Sequence, residues 1–343
     1  MSGPPWERLL LARPLSVAEV RGTFDHLVDP ATSDIERAAI LVALASRAPS
    51  VDELVAFARE MRARARPFPV PAGDRPIDLC GSGGAPRPSY NVSTVSALVV
   101  AAAGVPVVKH GNRSARNVCG SSDLLEALGL PVTRSRPFAR ATYRRHRVAF
   151  LHAPLFHPAA GAVAPVRRAL GIPTIFNRLG PLANPTRVPY QVVGAPDLRT
   201  AEMFSKALVR LGVRRGIAMS SIDGCDEFSP QRHTAAIVWD HGGRRRATVR
   251  PEQWLASDDR RGPWGPLPPR AAAEEAERIL AGGGGARRGA VLLTSGAALW
   301  TSGRATTMTE GIDRATEALD DGRASGLLED LRRIAQRFPG EAS

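Results

Sequence analysis

The sequence predicts an α/β protein in which a small N-terminal helical domain precedes a large domain with a central, mostly parallel sheet flanked by helices. Before residue 66 the chain carries only helical patterns. From residue 77 onward short apolar strands alternate with helical segments, the order that builds βαβ units. A chain of 343 residues is long enough to bury the core of such a domain.

Three amphipathic segments form the predicted helical domain, residues 1–66. They run over 16–28, 33–47 and 50–65, and each opens on a serine that can cap the first helical turn. In the first two, Glu19 and Glu36 follow the serine by three residues, as a capping box requires. Residues 67–76 are rich in proline and form the predicted linker. We expect helices around 160–185 to join this small domain in space.

The predicted large domain covers residues 77–343. Strand 77–81, helix 92–103 and strand 105–111 form its first βαβ unit. The alternation continues with helices at 122–128, 162–170 and 200–211 and with strands at 148–152, 191–194 and 216–220. A β-hairpin at 235–249 and four helices at 271–280, 290–300, 309–320 and 326–338 complete the chain.

The composition raises and then weakens the hypothesis of a nucleic-acid-binding protein. The formal net charge is +13, but Lys109 and Lys206 are the only lysines, so nearly all of the positive charge is arginine, as GC-rich codons produce. Aromatic residues make up 5% of the chain, which leaves little material for stacking bases. Nucleic-acid binding by a non-catalytic relative therefore stays an alternative and not the main interpretation.

Other sequence features favour a cytoplasmic protein that is not attached to a membrane. No apolar run approaches the roughly 20 residues that span a bilayer. The polar start MSGPPWERLL lacks the charged and apolar regions of a signal peptide. Cys80, Cys119 and Cys225 lie far apart without CxxC spacing, so we expect reduced thiols that serve as small packing residues.

A glycine-rich turn follows the first predicted strand. It reads GSGGAPRPSYNVST over residues 81–94 and leads into the next predicted helix. Glycines let backbone amides approach a phosphate, and a helix N-terminus adds a positive dipole. The spacing fits neither the dinucleotide-binding nor the Walker motif, so this turn alone is as often structural as functional.

Two further polar segments follow predicted strands. KHGNRS, residues 109–114, ends the second strand, where open α/β sheets bind ligands, and Lys109 offers a compact cation for a phosphate oxygen. DGCDE, residues 223–227, follows a later strand, and adjacent carboxylates of this kind suit Mg²⁺. Taken singly, a solvated strand end and a solvated acidic loop are the more ordinary interpretations.

Taken in order, these segments resemble one family, the anthranilate phosphoribosyltransferases, which share their fold with pyrimidine nucleoside phosphorylases. The resemblance runs over almost the whole chain. It is carried by GSGG with NVST, KHGNRS, GSSDLLEALG (120–129), HAPLFHPAAGAVAPVR (152–167), TIFNRLGPLANP (174–185) and GCDEFS (224–229).

The resemblance implies a reaction and its cofactor. Such enzymes transfer phosphoribosyl from phosphoribosyl pyrophosphate (PRPP) to the amine of anthranilate with Mg²⁺, releasing pyrophosphate, a step of the tryptophan-biosynthesis type. The family forms homodimers through the small helical domain and has its active site in the cleft between the domains.

The resemblance also implies roles for individual residues. Ser93, Asp226 and Glu227 would hold Mg²⁺, and Lys109 and Arg167 would be catalytic, with His110 as a less favoured third. The residues that would bind PRPP are Gly81, Ser82, Gly83, Gly84, Ser89, Asn91, Val92, Ser93, Thr94, Lys109, Arg116, Asn117 and Ser121. The residues that would bind the acceptor, an aromatic amine carboxylate, are Gly81, His110, Asn112, Ala153, His157, Gly161, Arg167 and Gly180.

The chain departs from the family pattern close to these residues. Ala85 stands where the glycine motif usually continues with an aspartate, and Arg116 and Asn117 replace a usual pair of serines. Gly161 falls where the family often has a larger side chain beside the acceptor. A relative that uses a different or substituted aromatic acceptor in specialised metabolism is therefore an alternative, and a nucleoside phosphorylase is a weaker one.

Overall fold

A computed structural model describes residues 4–82, 85–114 and 118–338. Within these ranges the chain forms an N-terminal group of helices followed by a larger α/β part, which confirms the predicted fold class. No helix in the described part of the chain combines the length and the apolar character needed to cross a membrane.

The N-terminal helices are α1 (Trp6–Leu10), α2 (Val17–Val28), α3 (Asp34–Ala45) and α4 (Val51–Ala63). The last three confirm the three predicted amphipathic segments. Ser16 and Ser33 close capping boxes with Glu19 and Glu36 as expected, and α4 has a third box that the sequence analysis did not identify, from Ser50 and Glu53. These boxes satisfy backbone N–H groups that the first turn leaves free, so they fix where each helix begins.

The larger part is built on one seven-stranded sheet. Its strands are β1 (Ile77–Cys80), β2 (Val107–Gly111), β3 (Val148–His152), β4 (Tyr190–Gly194), β5 (Arg215–Ser221), β6 (Thr234–Asp240) and β7 (Gly243–Val249). The strand order is β3-β2-β1-β4-β5-β6-β7. The first five strands are parallel, and β6 and β7 add the predicted hairpin in antiparallel orientation at one edge.

The order of the strands reverses between β1 and β4. After β1 the chain builds outward through β2 and β3, and then returns to place β4 on the other side of β1. In open α/β sheets the connections diverge at such a switch point, which opens a crevice outside the carboxyl ends of the strands. The sheet therefore places the ends of β1 and β4, at Cys80 and Gly194, beside the natural ligand crevice.

Helices cover both faces of the sheet. The helices that follow β1 along the chain are α5 (Val92–Ala102), α6 (Ser121–Ala127), α7 (Arg136–His146), α8 (Ala153–Phe156), α9 (Ala164–Leu170), α10 (Ile175–Leu179), α11 (Leu198–Arg210), α12 (Pro269–Leu280), α13 (Ala286–Ser302), α14 (Met308–Asp320) and α15 (Arg323–Ala335). On one face α5 and α13 pack together in a core that includes Leu98 and Leu293, both fully buried. α5 contacts both β1 and α13, and this burial on two sides explains why it carries no charged residue.

A second apolar core lies on the opposite face and continues into the N-terminal helices. Phe24 and Phe57 of α2 and α4 belong to the same buried cluster as Phe204 of α11 and Trp239 of β6. Helices α9 and α10, near residues 160–185, contact α3 and α4. The division of the chain at residues 67–76 stays a prediction.

Several helices were missed or began later than predicted. α7 was missed because its arginine-rich sequence lacks an obvious apolar stripe, although Phe138 and Thr142 of one face are buried. The predicted helix 162–170 starts as a 3₁₀ helix, Pro158–Val163, and becomes α-helical at Ala164, with a proline in the first turn. α1, α8 and α10 have only four or five residues each, too few to show a helical period.

Candidate active site

Two glycines at the switch point let an acidic loop close onto the sheet. A Cβ atom on Gly194, the last residue of β4, would lie 1.7 Å from the carbonyl oxygen of Asp226. A Cβ atom on Gly81, just after β1, would lie 2.8 Å from Oδ2 of the Asp226 carboxylate. The loop after β5 can therefore reach the ends of β1 and β4 because both positions lack a side chain.

The acidic loop is hydrogen-bonded to the glycine-rich turn. The backbone N–H and the hydroxyl of Ser82 both donate to Oδ2 of Asp226, at 2.6 and 2.8 Å. The same loop meets the turn again farther along, where the Arg87 N–H donates to the Gly224 carbonyl oxygen at 3.1 Å. Two segments that lie 144 residues apart in the sequence are thus brought into contact, as the predicted site requires.

Glu227 is a buried carboxylate with one oxygen unused. Its Oε1 accepts a hydrogen bond from the backbone N–H of Ser93 at 3.4 Å, and its Oε2 has no hydrogen-bond partner. Burial, together with the neighbouring Asp226, raises the pKa of Glu227 to about 8. A buried acid beside a second acid is stabilised by a cation, and an unused carboxylate oxygen is a ligand that Mg²⁺ prefers.

The protein groups around this acidic pair fit Mg²⁺ better than they fit a transition metal. Among the residues described, no cluster of three or more His, Cys, Asp or Glu side chains could hold a metal ion. Mg²⁺ is commonly held by one or two carboxylates, with water and substrate phosphates as its other ligands. Asp226 and Glu227 supply that number.

Lys109 lies buried on β2 and faces the same pair. Its Nζ donates to the Leu79 carbonyl oxygen and, at 3.1 Å, to the hydroxyl of Ser93. Below it, Asp78 of β1 accepts hydrogen bonds from the His110 backbone N–H at 3.2 Å and from the Asn184 amide at 2.9 Å. Burial raises the pKa of Asp78 to about 6, against the opposing effect of Lys109. The ammonium group is therefore fixed between strands rather than free in solvent.

The remaining residues predicted to bind PRPP lie around the start of α5 and the end of β2. Ser89, Asn91, Val92, Ser93 and Thr94 form the approach to α5 and its first turn, and the Asn91 amide donates to the Cys119 carbonyl oxygen at 3.1 Å. Ser121 donates to the Asn112 carbonyl oxygen at 3.1 Å and lines one cavity together with Lys109. Gly83, Gly84, Arg116 and Asn117 lie outside the described residues.

Arg167, the residue predicted to bind the acceptor carboxylate, lacks an internal counter-charge. Its Nη2 donates to Oδ1 of Asn177 at 3.4 Å, and its Cζ lies 5.3 Å from the ring centroid of Phe176. Its Nε is buried without a hydrogen-bond partner. Burial lowers the pKa of Arg167, and no carboxylate in the described part of the chain offsets this. Such a guanidinium is available to a carboxylate that arrives with a ligand.

Two buried histidines lie side by side among the predicted acceptor residues. The rings of His110 and His157 meet edge to face, with centroids 4.9 Å apart, and His110 Nδ1 lies 3.3 Å from the Gly180 carbonyl oxygen. Burial lowers the pKa of His110 to about 3 and that of His157 to about 4. Both rings are therefore neutral at pH 7, which makes His110 a weak base.

The other predicted acceptor positions differ in their surroundings. Ala153 begins α8, directly after β3. Asn112 receives a hydrogen bond from the Arg113 N–H at 2.7 Å on its side-chain oxygen. A Cβ atom on Gly161 or Gly180 would meet open space within 4 Å, so neither glycine is required by close packing.

Sequence reasoning did not single out three polar residues that support the site. Asp78 is the one acid in the strand IDLC. In the segment TIFNRLGPLANP, Asn177 contacts Arg167 and Asn184 contacts Asp78. A charged or amide side chain inside an otherwise apolar strand or motif was the available signal, because buried polar groups need specific partners.

Comparison with known proteins places the whole chain within one group. The family model described as "Glycosyl transferase family, a/b domain" matches residues 73–325, and "Glycosyl transferase family, helical bundle domain" matches residues 6–65. An anthranilate phosphoribosyltransferase from Solibacter usitatus is 39% identical, over 97% of this chain and 98% of its own length. One from Methanopyrus kandleri is also 39% identical, over 94% of this chain and 97% of its own.

Solved structures agree with these relatives in fold. The crystal structure of anthranilate phosphoribosyltransferase from Thermus thermophilus is 34% identical, with a TM-score of 0.87 over 96% of this chain and 98% of its own. The enzyme from Saccharomyces cerevisiae in complex with PRPP and Mg shares 22% identity and has a TM-score of 0.85, with 96% of each chain covered, a likeness of fold.

Proposed function

The chain belongs to the anthranilate phosphoribosyltransferase family, and we propose that it transfers the phosphoribosyl group of PRPP to the amine of anthranilate, releasing pyrophosphate. The observation that carries this proposal is the closure of Asp226 and Glu227 onto the glycine-rich turn at the switch point, with Lys109 beside them. The product would be N-phosphoribosyl anthranilate, as in tryptophan biosynthesis.

The PRPP site would take its ligands from both sides of the crevice. Asp226 and Glu227, with the hydroxyl of Ser93, would hold Mg²⁺, and the unused Oε2 of Glu227 supports this. When bound, Mg²⁺ supplies positive charge that neutralises the pyrophosphate. The turn from Gly81, the first turn of α5 and Ser121 would hold phosphate and ribose oxygens through hydrogen bonds.

Lys109 would stabilise the leaving group. In the reaction the bond between ribose C1 and the pyrophosphate oxygen breaks, the C1–N bond forms, and the leaving pyrophosphate keeps the electron pair. Negative charge thus grows on the pyrophosphate while positive charge grows on the ribose. An ammonium group held by the Leu79 carbonyl and Ser93 is already in place before that charge develops, so it needs little reorganisation.

Arg167 would hold the carboxylate of anthranilate and aim its amine at C1. A guanidinium binds a carboxylate through two parallel N–H donors, which fixes orientation as well as position. Ala153, His157, Gly161 and Gly180 would surround the aromatic ring. A catalytic base is not required, because the anilinium formed on attack is acidic and loses its proton readily.

We also propose that the chain forms a homodimer through its N-terminal helices. Large apolar side chains are exposed there, with Ile35 82% and Leu10 77% accessible, and Leu11, Val17 and Val42 are exposed as well. Ile35 and Val42 lie seven residues apart, on one face of α3. Exposed apolar side chains that share one helix face, as Ile35 and Val42 do, are typical of a protein–protein contact. A cytoplasmic location stays a prediction from the sequence.

The direct test of the transferase is loss of anthranilate fluorescence when PRPP and Mg²⁺ are added to the purified protein. We expect turnover of anthranilate that requires the protein, PRPP and Mg²⁺ and that releases one pyrophosphate per anthranilate consumed. Parallel reactions with ring-substituted aminobenzoates test the alternative acceptor. Absence of turnover with anthranilate and with every substituted aminobenzoate would remove the proposal.

A further inference from the structure

We propose that Asn177 is a positioning residue that orients Arg167 and keeps its charge free for the carboxylate of the acceptor. This inference rests on the proposed function, since it concerns how the chain selects an acceptor that carries a carboxylate. Asn177 lies on α10 and is not among the residues that the sequence predicted for the site. The neutral character of the Asn177 amide is the property on which the role depends.

The Asn177 side chain is fixed by the helix that it caps. Its Oδ1 accepts hydrogen bonds from the Thr174 backbone N–H at 2.9 Å and from the Thr174 hydroxyl at 3.4 Å. Because a backbone N–H can only donate, the contact at 2.9 Å settles which end of the amide is oxygen. The same oxygen receives Nη2 of Arg167 at 3.4 Å. Asn177 therefore joins the start of α10 to a guanidinium on α9.

The preceding residue of α10 completes the support. Phe176 is buried, and its ring centroid lies 5.3 Å from Cζ of Arg167. An aromatic face attracts a guanidinium without neutralising it. Phe176 and Asn177, two consecutive uncharged residues, thus both contact Arg167. Nε of Arg167 is left buried without a partner, which is costly unless a ligand supplies one.

An aspartate at position 177 would serve the helix equally well, so capping does not explain the asparagine. A carboxylate in the first turn can accept from the N-cap backbone N–H as the amide does, and its charge complements the helix dipole. It would also form an internal ion pair with Arg167, in which charge-assisted contacts shorten to about 2.7–2.9 Å. That pair would compete with the acceptor carboxylate. The amide avoids this competition while keeping the geometry.

The experiment compares steady-state constants for the wild type and Asn177→Asp, with both substrates varied. We expect the KM for anthranilate to rise by about tenfold or more. The introduced carboxylate and the carboxylate of the acceptor would share one guanidinium and repel each other. The KM for PRPP should be unchanged, and the thermal midpoint should equal or exceed that of the wild type. Arg167→Ala sets the scale for complete loss of the carboxylate contact.

Two further variants separate positioning from general effects of the substitution. Asn177→Ser shortens the side chain and removes the contact with Arg167 without adding a charge, so a smaller rise in the anthranilate KM is expected. Thr307→Asp places a new acid at the cap of α14, where the Thr307 hydroxyl now accepts from the Glu310 N–H at 3.1 Å. This matched control should leave both KM values as in the wild type.

The outcomes distinguish this inference from the proposed function. If the wild type consumes anthranilate and Asn177→Asp and Asn177→Ser both keep its KM within about twofold, the positioning role is overturned. An equal rise in the KM for PRPP also overturns it, because that result indicates a general disturbance. A wild type that does not consume anthranilate removes the proposed function itself. Should Asn177→Asp fold poorly, the Asn177→Ser result decides.

Discussion

At the scale of single residues, the site is defined by charged and polar side chains that are buried without full internal compensation. Glu227 has an oxygen without a partner, and Arg167 has a buried Nε without one. Buried groups of this kind are expensive to maintain for folding alone, so they indicate a ligand that completes their interactions.

The histidines near the site predict how stability depends on pH. Burial lowers the pKa of His152 to about 4, and its Nδ1 pairs with the Ser122 hydroxyl at 2.9 Å. A folded-state pKa below the ordinary value of 6.5 means that the unfolded chain binds the proton more tightly. The contribution of His152, and that of the similarly shifted His110 and His157, is therefore fully present above pH 6.5 and is lost as the pH falls toward 4 for His152 and His157 and toward 3 for His110.

We predict that His152→Asn reduces this pH dependence. The asparagine amide can take the place of Nδ1 opposite Ser122 but does not titrate. The thermal midpoint of the wild type should drop between pH 7 and pH 5, and the variant should drop less over the same interval. Equal losses in both proteins would show that His152 is not buried in its neutral form. Differential scanning calorimetry at a series of pH values provides the measurement.

At the scale of the elements, the site depends on strand ends that carry no side chain. Gly81 after β1 and Gly194 at the end of β4 both face Asp226. The parallel strands were predictable because their short apolar runs alternate with helices in the sequence. The close approach of the acidic loop to two glycines was not predictable, because it depends on a register between segments that are far apart in the chain.

We predict graded effects of adding one methyl group at these two glycines. Gly194→Ala places a Cβ atom 1.7 Å from a backbone oxygen, so it should destabilise the fold by about 1–3 kcal/mol or more. Gly81→Ala meets the end of a side chain at 2.8 Å, so it should displace the Asp226 carboxylate and raise the KM for PRPP at a smaller cost in stability.

The control for both changes is Gly161→Ala, where the added Cβ atom has no atom within 4 Å. Its free energy of unfolding should match that of the wild type within about 0.5 kcal/mol. Chemical denaturation of the three variants gives the comparison. A Gly194→Ala protein as stable as Gly161→Ala would contradict the placement of the acidic loop.

The helices show the limits of sequence patterns at this scale. α2, α3 and α4 were predictable because a serine and a glutamate at fixed spacing mark their starts. α7 was not predictable, because its four arginines and one histidine obscure the helical spacing of the buried residues Phe138 and Thr142. α10 is short, yet its Asn177 contacts Arg167, so an element that local pattern cannot identify supports the proposed acceptor site.

At the scale of the whole molecule, two large apolar cores and a smaller cluster that includes Val108 of β2 and Leu151 of β3 hold the sheet between layers of helices. One core continues from the sheet through α11 into the N-terminal helices, so the small helical part is packed against the large one. The order of fold elements and most candidate residues could be predicted from motifs along the chain. The resemblance also predicted that Asp226, Glu227 and Ser93 meet at the glycine-rich turn, but the individual hydrogen bonds between them could not be predicted, since they follow only from the strand order.

We predict that Ile35→Asp converts the proposed homodimer into a monomer. Ile35 is 82% exposed in the single chain, so the substitution should change the stability of the isolated fold by no more than about 0.5 kcal/mol. Burying a new charge in an apolar contact between two chains is much more costly. Light scattering after size exclusion should give twice the chain mass for the wild type and one chain mass for the variant.

A matched control for the oligomeric state is Ile222→Asp, which changes another exposed isoleucine, 70% accessible, in the loop after β5. This variant should remain a dimer. A monomeric wild type, or dissociation of both variants to the same extent, would contradict an interface through the N-terminal helices.

The Mg²⁺ dependence of turnover in the wild type and in the double variant Asp226→Asn with Glu227→Gln tests the proposed metal site most directly. We expect the wild type to need Mg²⁺ and the double variant to lose at least about 100-fold of its rate at every Mg²⁺ concentration. Asp223→Asn, in the same loop, should keep the wild-type dependence. A double variant with the rate and Mg²⁺ midpoint of the wild type would contradict a metal-assisted site at the glycine-rich turn.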